Sequence, residues 1–346
     1  MRAAVARAGR VELEIVDDPD PGAGQVLVEP IACGICGSDL HMLETQGAMP
    51  ELVPPMTLGH EFVGRVLEYG PRTERRLPVG SVVTSVPYLD TAGGPQLIGL
   101  SPLAAGGLAE RMLLQERRLL PVPSSIPPHV AALVEPLAVG EHAAGAARLE
   151  NRDVALVIGC GPVGLATIMA LKARGHGPVV AADFSGDRRQ LAELVGADLV
   201  VDPAQSSPYA AWSELAGPAP PLSPLWEEPL HARTVVFECV GVQGLLQSVL
   251  DAVPPHTRVV VVGVCQTPDT IIPAVAITKE ISLQFVFAYR PDEFAATLGR
   301  IAAGQLRADP LITAVLPLEQ VPAALSQLAP PSRHCKILIT PNGEGT

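Results

Sequence analysis

The chain has 346 residues, 48% of them apolar, and its 36 acidic against 24 basic side chains give a formal charge of -12. That length exceeds the usual span of one hydrophobic core and predicts two domains. The acidity, which no Lys/Arg-rich block interrupts, argues against nucleic acid or an anionic membrane as a partner.

The opening stretch has no apolar run of signal-peptide length before its acidic "DDPD", so export is not expected. "QVLVEPIACGICG", "FVGRVLEYG" and "SVVTSVPYL" are apolar, β-branched runs bounded by Gly and Pro, and the first 150 residues read as a mostly β module. From Asp153 onward strand and helix alternate: "VALVIG", "GLATIMALKARG", "VVAAD", "RRQLAELVGA", "LVVD", "TVVFECVG", "LLQSVLDAV", "RVVVVG" and "ISLQFVF". Short continuous apolar strands separated by helices predict a parallel sheet covered on both faces, an α/β doubly wound domain. Residues 154–171 are apolar almost throughout, yet three glycines and a proline make them a buried strand running into a buried helix, not a membrane span. Residues 203–231 are proline-rich and read as a surface loop without an assigned role. After Tyr289 come a helix, "DEFAATLGRIAAG", and a last strand, "KILIT", expected to return to the first module. The resulting division is 1–152 with 290–346 against 153–289. The six cysteines are scattered in a chain large enough to need no staples, and free thiols in a reducing cytoplasm are the expectation.

Gly159, Gly161 and Gly164 have G-x-G-x-x-G spacing directly after a strand and before a helix. The first glycine permits a tight turn, the second lets a pyrophosphate approach the backbone, and the third lets helix and strand pack closely. Pro162 and Val163 lie inside this loop, and Val262 ends a later strand; all three are counted as cofactor contacts. Asp183 closes the second strand nineteen residues past Gly164, where a carboxylate accepts hydrogen bonds from an adenosine ribose. It would also repel a 2'-phosphate and so favours NAD over NADP, although Arg188 and Arg189 stand near enough to serve a phosphate.

Zinc catalysis needs about three N, S or O ligands and one open position. The candidates are Cys36 in "GICGSDLH", His60 and Glu61 in "LGHEFVG", and Glu135 in "LVEPLAV". All precede the nucleotide domain, so the reaction is expected in a cleft between metal and nucleotide modules. A thiolate, a neutral imidazole and one carboxylate balance Zn²⁺ and leave a Lewis acid. Adjacent side chains in an extended segment point to opposite faces, so His60 is the firm ligand and Glu61 is either a ligand or a group beside it.

These stretches resemble the zinc-dependent medium-chain dehydrogenase/reductase family, and in detail its polyol, sugar and threonine dehydrogenase branch. The similarity runs in order along nearly the whole chain, through "GCGPVG" and "FECVG" to the closing strand. It implies a GroES-like, mostly β catalytic domain beside a Rossmann domain, an NAD-linked reaction on a secondary alcohol, and a homodimer or homotetramer. By the same resemblance Cys36 is a zinc ligand, and Ser38 takes the substrate proton and passes it through the nicotinamide ribose to His41. Asp39 orients the metal histidine. Cys33 matches no functional position and is read as a core residue. Many relatives hold a second, structural zinc with four close cysteines after the "GHE" region, but residues 77–115 contain none, so one zinc per chain is expected. Two alternatives compete with this reading: a zinc-free NADPH-dependent enone or quinone reductase of the same fold, and a catalytically silent nucleotide-binding protein. Both would lack the ligand set that this chain keeps.

Overall fold

The computed structural model describes residues 1–150, 152–217, 234–328 and 334–343. The chain forms two compact units, one of Met1–Glu135, Phe294–Gly304 and Ile312–Thr346, the other of Pro136–Glu293 and Gln305–Leu311.

The first unit is rich in strands, as its composition implies. It opens with the hairpin β1 (Arg2–Arg7) and β2 (Arg10–Ile15), followed by the long strand β3 (Gln25–Gly34) and helix α1 (Gly37–Ala48). The short β4 (Met56–Thr57) pairs with β1, and β5 (Glu61–Tyr69) runs antiparallel to β3. Pro30, which cannot donate to the ladder, sits where the register between these strands shifts. Next come β6 (Val82–Ser85), the hairpin β7 (Tyr88–Thr91) and β8 (Gly94–Leu97), β9 (Met112–Gln115), β10 (Leu119–Pro121), α2 (Pro128–Ala131) and α3 (Val134–Ala146).

Helix α1 is an element that the mostly β reading of this region did not name. Its buried positions are Asp39 and Gln46, both polar, so no apolar stripe announced it. The lobe around β7 and β8, which has no cysteines, is held by buried Leu89, Ile98, Ala104 and Leu108. It is also held by Asp90, whose carboxylate accepts from Arg117 at 2.6 Å and Arg118 at 2.9 Å.

The second unit carries β11 (Val154–Ile158), α4 (Pro162–Ala173), β12 (Val179–Ala182), α5 (Gly186–Leu194), β13 (Leu199–Val201), α6 (Pro208–Ala216), β14 (Thr234–Glu238), α7 (Leu245–Ala252), β15 (Arg258–Val261), α8 (Pro273–Thr278) and β16 (Ser282–Phe285). The strands form one parallel sheet in the order β13-β12-β11-β14-β15-β16. Counted from β11 this is 3-2-1-4-5-6, the doubly wound dinucleotide-binding order. Its core joins Leu156, Val180, Val236 and Val259 from the strands to Trp212 and Val249 from the helices.

This unit begins at Pro136 and not near residue 153 because α3 packs with it. A Cβ on Gly140 would come within 2.4 Å of Ala166, and Arg174 donates to Glu141 at 2.8 Å. Among the described residues no helix is long and apolar enough to cross a membrane.

The loop expected over 203–231 is corrected in its first half. Ser207 caps α6 by accepting from Ala210 N–H, Pro208 occupies the first turn, and Gly217 closes the helix with φ +79°. Trp212 is fully buried and donates its indole N–H to Val154 O at 2.9 Å, which makes the segment part of the core. Residues 218–231 of that loop lie outside the described residues.

The chain then continues through α9 (Pro291–Ala302), β17 (Ile312–Pro317), α10 (Val321–Leu328) and β18 (Lys336–Thr340). Strand β18, the "KILIT" run, enters the first unit's main sheet, β10-β6-β5-β3-β18-β17, with β9 also on β3. Val26, Val28, Phe62, Val66, Val83, Ile337 and Ile339 form the core of this sheet.

Candidate metal centre and dinucleotide crevice

Strand order concentrates the chemistry of the first unit at one end of its sheet. Both β5 and β18 run antiparallel to β3 and flank it, so both begin where β3 ends; Gly34 lies opposite Glu61 on one side and Leu338 on the other. Two residues past Gly34, Cys36 caps α1, and its backbone N–H donates to the Asp39 carboxylate at 2.8 Å. His60 immediately precedes β5. A Cys36 sulfur, a His60 ring nitrogen and a Glu61 carboxylate oxygen therefore lie within 4.8 Å of one another, a donor set that fits zinc in type and spacing.

The bend needed to bring neighbouring His60 and Glu61 together starts at Gly59, whose φ is +102°. A Cβ there would strike the Cys33 sulfur at 2.7 Å. Cys33 is itself fully buried, and burial pushes its thiol pKa up, so it serves as packing and not as a ligand.

The imidazole of His60 is placed from both sides. Its Nε2 stands 3.2 Å from Ser38 Oγ, and its Nδ1 faces Asp39 Oδ1 at 3.7 Å. Neither Nδ1 nor Oδ1 has a hydrogen-bond partner among the described residues, so a small inward shift would join them. Burial opposes charge on His60, but the Asp39 carboxylate, the Cys36 sulfur and Glu135 overrule it and hold its pKa well above the imidazole range. Burial likewise pushes the Asp39 carboxyl up.

Glu135, in the first turn of α3, is not a member of the 4.8 Å cluster, although its charge reaches His60. His41 lies one helical turn past Ser38 on α1, 38% exposed, with Nδ1 3.4 Å from Glu44.

Sequence reasoning missed Lys336. Its Nζ donates to both Glu61 oxygens, at 2.6 and 2.7 Å, and to Ile35 O at 3.0 Å, with both side chains essentially inaccessible. The Glu61 carboxylate lies over Gly34, where a Cβ would come within 2.1 Å of Oε2, so only glycine leaves room for it. Burial works to discharge Lys336, yet the Glu61 carboxylate prevails and raises its pKa. A lysine heading an otherwise apolar strand was the available signal.

In the second unit the three glycines differ in what demands them. Gly159 has φ +90°, and a Cβ on Gly164 would fall 1.8 Å from Gly159 O, so the turn and the helix–strand packing need both. Gly161, the N-cap of α4, has ordinary extended backbone and nothing within 4 Å of where its Cβ would be. The fold leaves that space open just ahead of Pro162 and Val163, at the N-terminus of α4. The Asp183 carboxylate accepts from Cys160 N–H and Ser185 N–H, each at 2.8 Å, and so ties the end of β12 to the glycine loop. Arg189 is committed to Asp183 O, Phe184 O and Asp202, whereas Arg188 stands 4.0 Å from the Asp183 carboxylate. Val262 follows β15 and donates to Glu238 O.

Residues 22–124 match the alcohol dehydrogenase GroES-like domain, and residues 162–303 match the zinc-binding dehydrogenase family. Over 353 residues the chain is 32% identical to (R,R)-butanediol dehydrogenase of Bacillus subtilis, covering 96% of this chain and 97% of that one. The chain belongs to the zinc-type medium-chain dehydrogenase family. It is also 31% identical to sorbitol dehydrogenase of Ovis aries, over 90% of this chain and 88% of that one. The crystal structure of the Bacillus subtilis 2R,3R-butanediol dehydrogenase superposes with a TM-score of 0.84 at 30% identity, covering 99% of both chains. A family structure from Sinorhizobium meliloti, bound to NADP, gives 0.83 at 27% identity over 98% of this chain and 99% of that one.

In the zinc-free chain, replacing Lys336 with Met leaves Glu61 buried and unpaired, and should lower stability by about 3–5 kcal/mol. Pairing Lys336→Met with Glu61→Gln should recover part of the loss in chemical denaturation. A Lys336→Met chain that unfolds at the original denaturant concentration would mean that something else neutralises Glu61.

Proposed function

We propose that the chain is a zinc-dependent dehydrogenase that transfers a hydride between a secondary alcohol, of polyol, sugar, cyclitol or amino alcohol type, and NAD. The observation that carries this reading is the Cys36, His60 and Glu61 cluster at the shared end of β3 and β5. The butanediol and sorbitol dehydrogenases it resembles support the substrate class.

Cys36, His60 and Glu61 hold the ion in this reading, and the Glu135 charge adds to the field around it. When bound, zinc supplies Lewis-acid polarisation of an alcohol oxygen, and NAD supplies the hydride acceptor. Ser38, beside His60, takes the alcohol proton, and the half-exposed His41 one turn further along α1 is the outlet to solvent. Asp39 keeps the His60 ring in orientation by charge. Lys336 offsets Glu61, so that the site carries the charge of a thiolate and a nearby carboxylate against the metal.

In the second unit, Gly161 with Pro162 and Val163 receives the pyrophosphate. Asp183 takes the adenosine ribose, and its charge disfavours a 2'-phosphate. Arg189 is already committed to backbone carbonyls and Asp202, which also favours NAD over NADP. A cytoplasmic setting fits the free cysteines.

Edge strand β16 and its surroundings expose Ile272, Ile277, Phe285 and Phe287. Among the described residues no strand pairs with its outer edge, which lies beside that apolar surface as a template for a second copy of the chain, and the protein is read as a homo-oligomer. Light scattering should return a dimer or tetramer, and Phe287→Lys should shift it towards monomer; a monomeric native chain would contradict this.

The enzymatic reading is tested by screening alcohols for NADH and NADPH formation alongside metal analysis. The expected result is one zinc per chain, turnover of a secondary alcohol with NAD⁺ ahead of NADP⁺, and loss of both zinc and turnover in Cys36→Ser. Full turnover by a zinc-free Cys36→Ser chain would end it.

A further inference from the structure

Helix α1 has a second working face. Beside the face that carries Ser38 and His41, the residues Leu40, Leu43, Glu44 and Gly47 recur at helical spacing and line a cavity of about 440 Å³. Leu325 and Ser326 of α10 line another side, and Gly9 and Arg10 of the β1–β2 turn a third. All of them belong to the first unit.

The walls are tied to the core. Leu325 is 4% exposed and is part of the core of the main sheet, and Leu40 and Leu43 pack against that same core. The turn is fixed against the end of α1, since a Cβ on Gly9, at φ +80°, would fall 2.8 Å from Gly47 Cα. The volume lies within the range of about 300–1,000 Å³ that small-molecule sites occupy.

Two opposite charges stand at the rim. Arg10 is exposed, and no carboxylate pairs with it among the described residues. Glu44 is 75% exposed, and its Oε2 lies 3.4 Å from Nδ1 of His41. A ligand that is only an anion would be repelled by Glu44, and one that is only a cation by Arg10. A molecule with both charges on an aliphatic body satisfies the guanidinium, the carboxylate and the leucines together. We propose that this cavity is an effector site for a small aliphatic zwitterion, the chemistry of a branched-chain amino acid: its carboxylate pairs with Arg10, its ammonium with Glu44, and its side chain lies against Leu40, Leu43 and Leu325. Glu44 links the site to the reaction. An ammonium that engages Glu44 draws that carboxylate away from His41, the proton outlet of the dehydrogenase reading above, on which the effector role rests.

Equilibrium dialysis of labelled L-leucine against the zinc-loaded chain tests the site without reference to turnover. Leucine should bind saturably, one per chain. In competition, 3-methylbutylamine and 4-methylpentanoate, which each lack one of its charges, should bind about fivefold more weakly or worse. Arg10→Gln should weaken leucine binding by a similar factor. Ser326→Trp, which fills the cavity from the exposed face of α10, should abolish it, with alcohol turnover in leucine-free buffer unchanged in both variants. Saturating leucine should slow alcohol oxidation by the native chain about twofold, as loss of an exposed charge partner does, and leave Ser326→Trp unaffected.

Absence of saturable leucine binding, competition by the amine or the acid as strong as that by leucine, or native affinity in Arg10→Gln or Ser326→Trp would each overturn the site. Leucine that binds as described without changing turnover would overturn its effector role. A native chain that oxidises no alcohol would instead remove the dehydrogenase reading and leave the dialysis to decide the site.

Discussion

The antiparallel pairing of β3 with β5, in which Gly34 faces Glu61, is the constraint on which the metal site depends. It places the end of one strand beside the start of another, so that Cys36 and the His60–Glu61 pair meet although Cys36 and His60 are 24 positions apart in the sequence. Strand β18, antiparallel to β3 on the far side, starts at the same end and contributes Lys336. The ion pair crosses above Gly34 because that residue has no side chain to block it. A substitution at Gly34 would thus act on the metal site through Glu61, without removing any donor.

The electrostatics follow from that convergence. Burying Glu61 and Lys336 is costly and is weak evidence for stability in itself. Its consequence is positional: a carboxylate is held against a thiol and an imidazole with its charge offset by Lys336. Burial opposes charge on His60, but the Asp39 carboxylate beside it raises its pKa. In the second unit the corresponding logic is steric. Gly159 and Gly164 are required by the fold, Gly161 faces open space, and Glu238 ties the adjacent loops to the same edge.

Much of this was legible in the sequence because local pattern and tertiary role agree. The glycine loop, Asp183, the apolar strands of the doubly wound sheet and the returning "KILIT" strand all stand where periodicity and spacing placed them. Cys36, His60 and Glu61 lie within 4.8 Å of one another, whereas Glu135 lies outside that cluster. What escaped was carried by residues whose local signal contradicts their environment. Helix α1 buries Asp39 and Gln46 in place of apolar side chains, and α6 lies in a proline-rich stretch although Ser207, Pro208 and Gly217 are ordinary start and stop signals. Lys336 and Glu238 are charged residues at the ends of buried strands, and their partners come from distant segments or from backbone amides, which no spacing rule reveals.

The most direct test is X-ray absorption spectroscopy at the zinc edge of the zinc-loaded chain. The account predicts one sulfur neighbour at about 2.3 Å and two or three nitrogen or oxygen neighbours at about 2.0–2.2 Å. A shell with no sulfur, or with two or more, would contradict it, the latter because Cys33 would have to leave the core to supply the second thiolate.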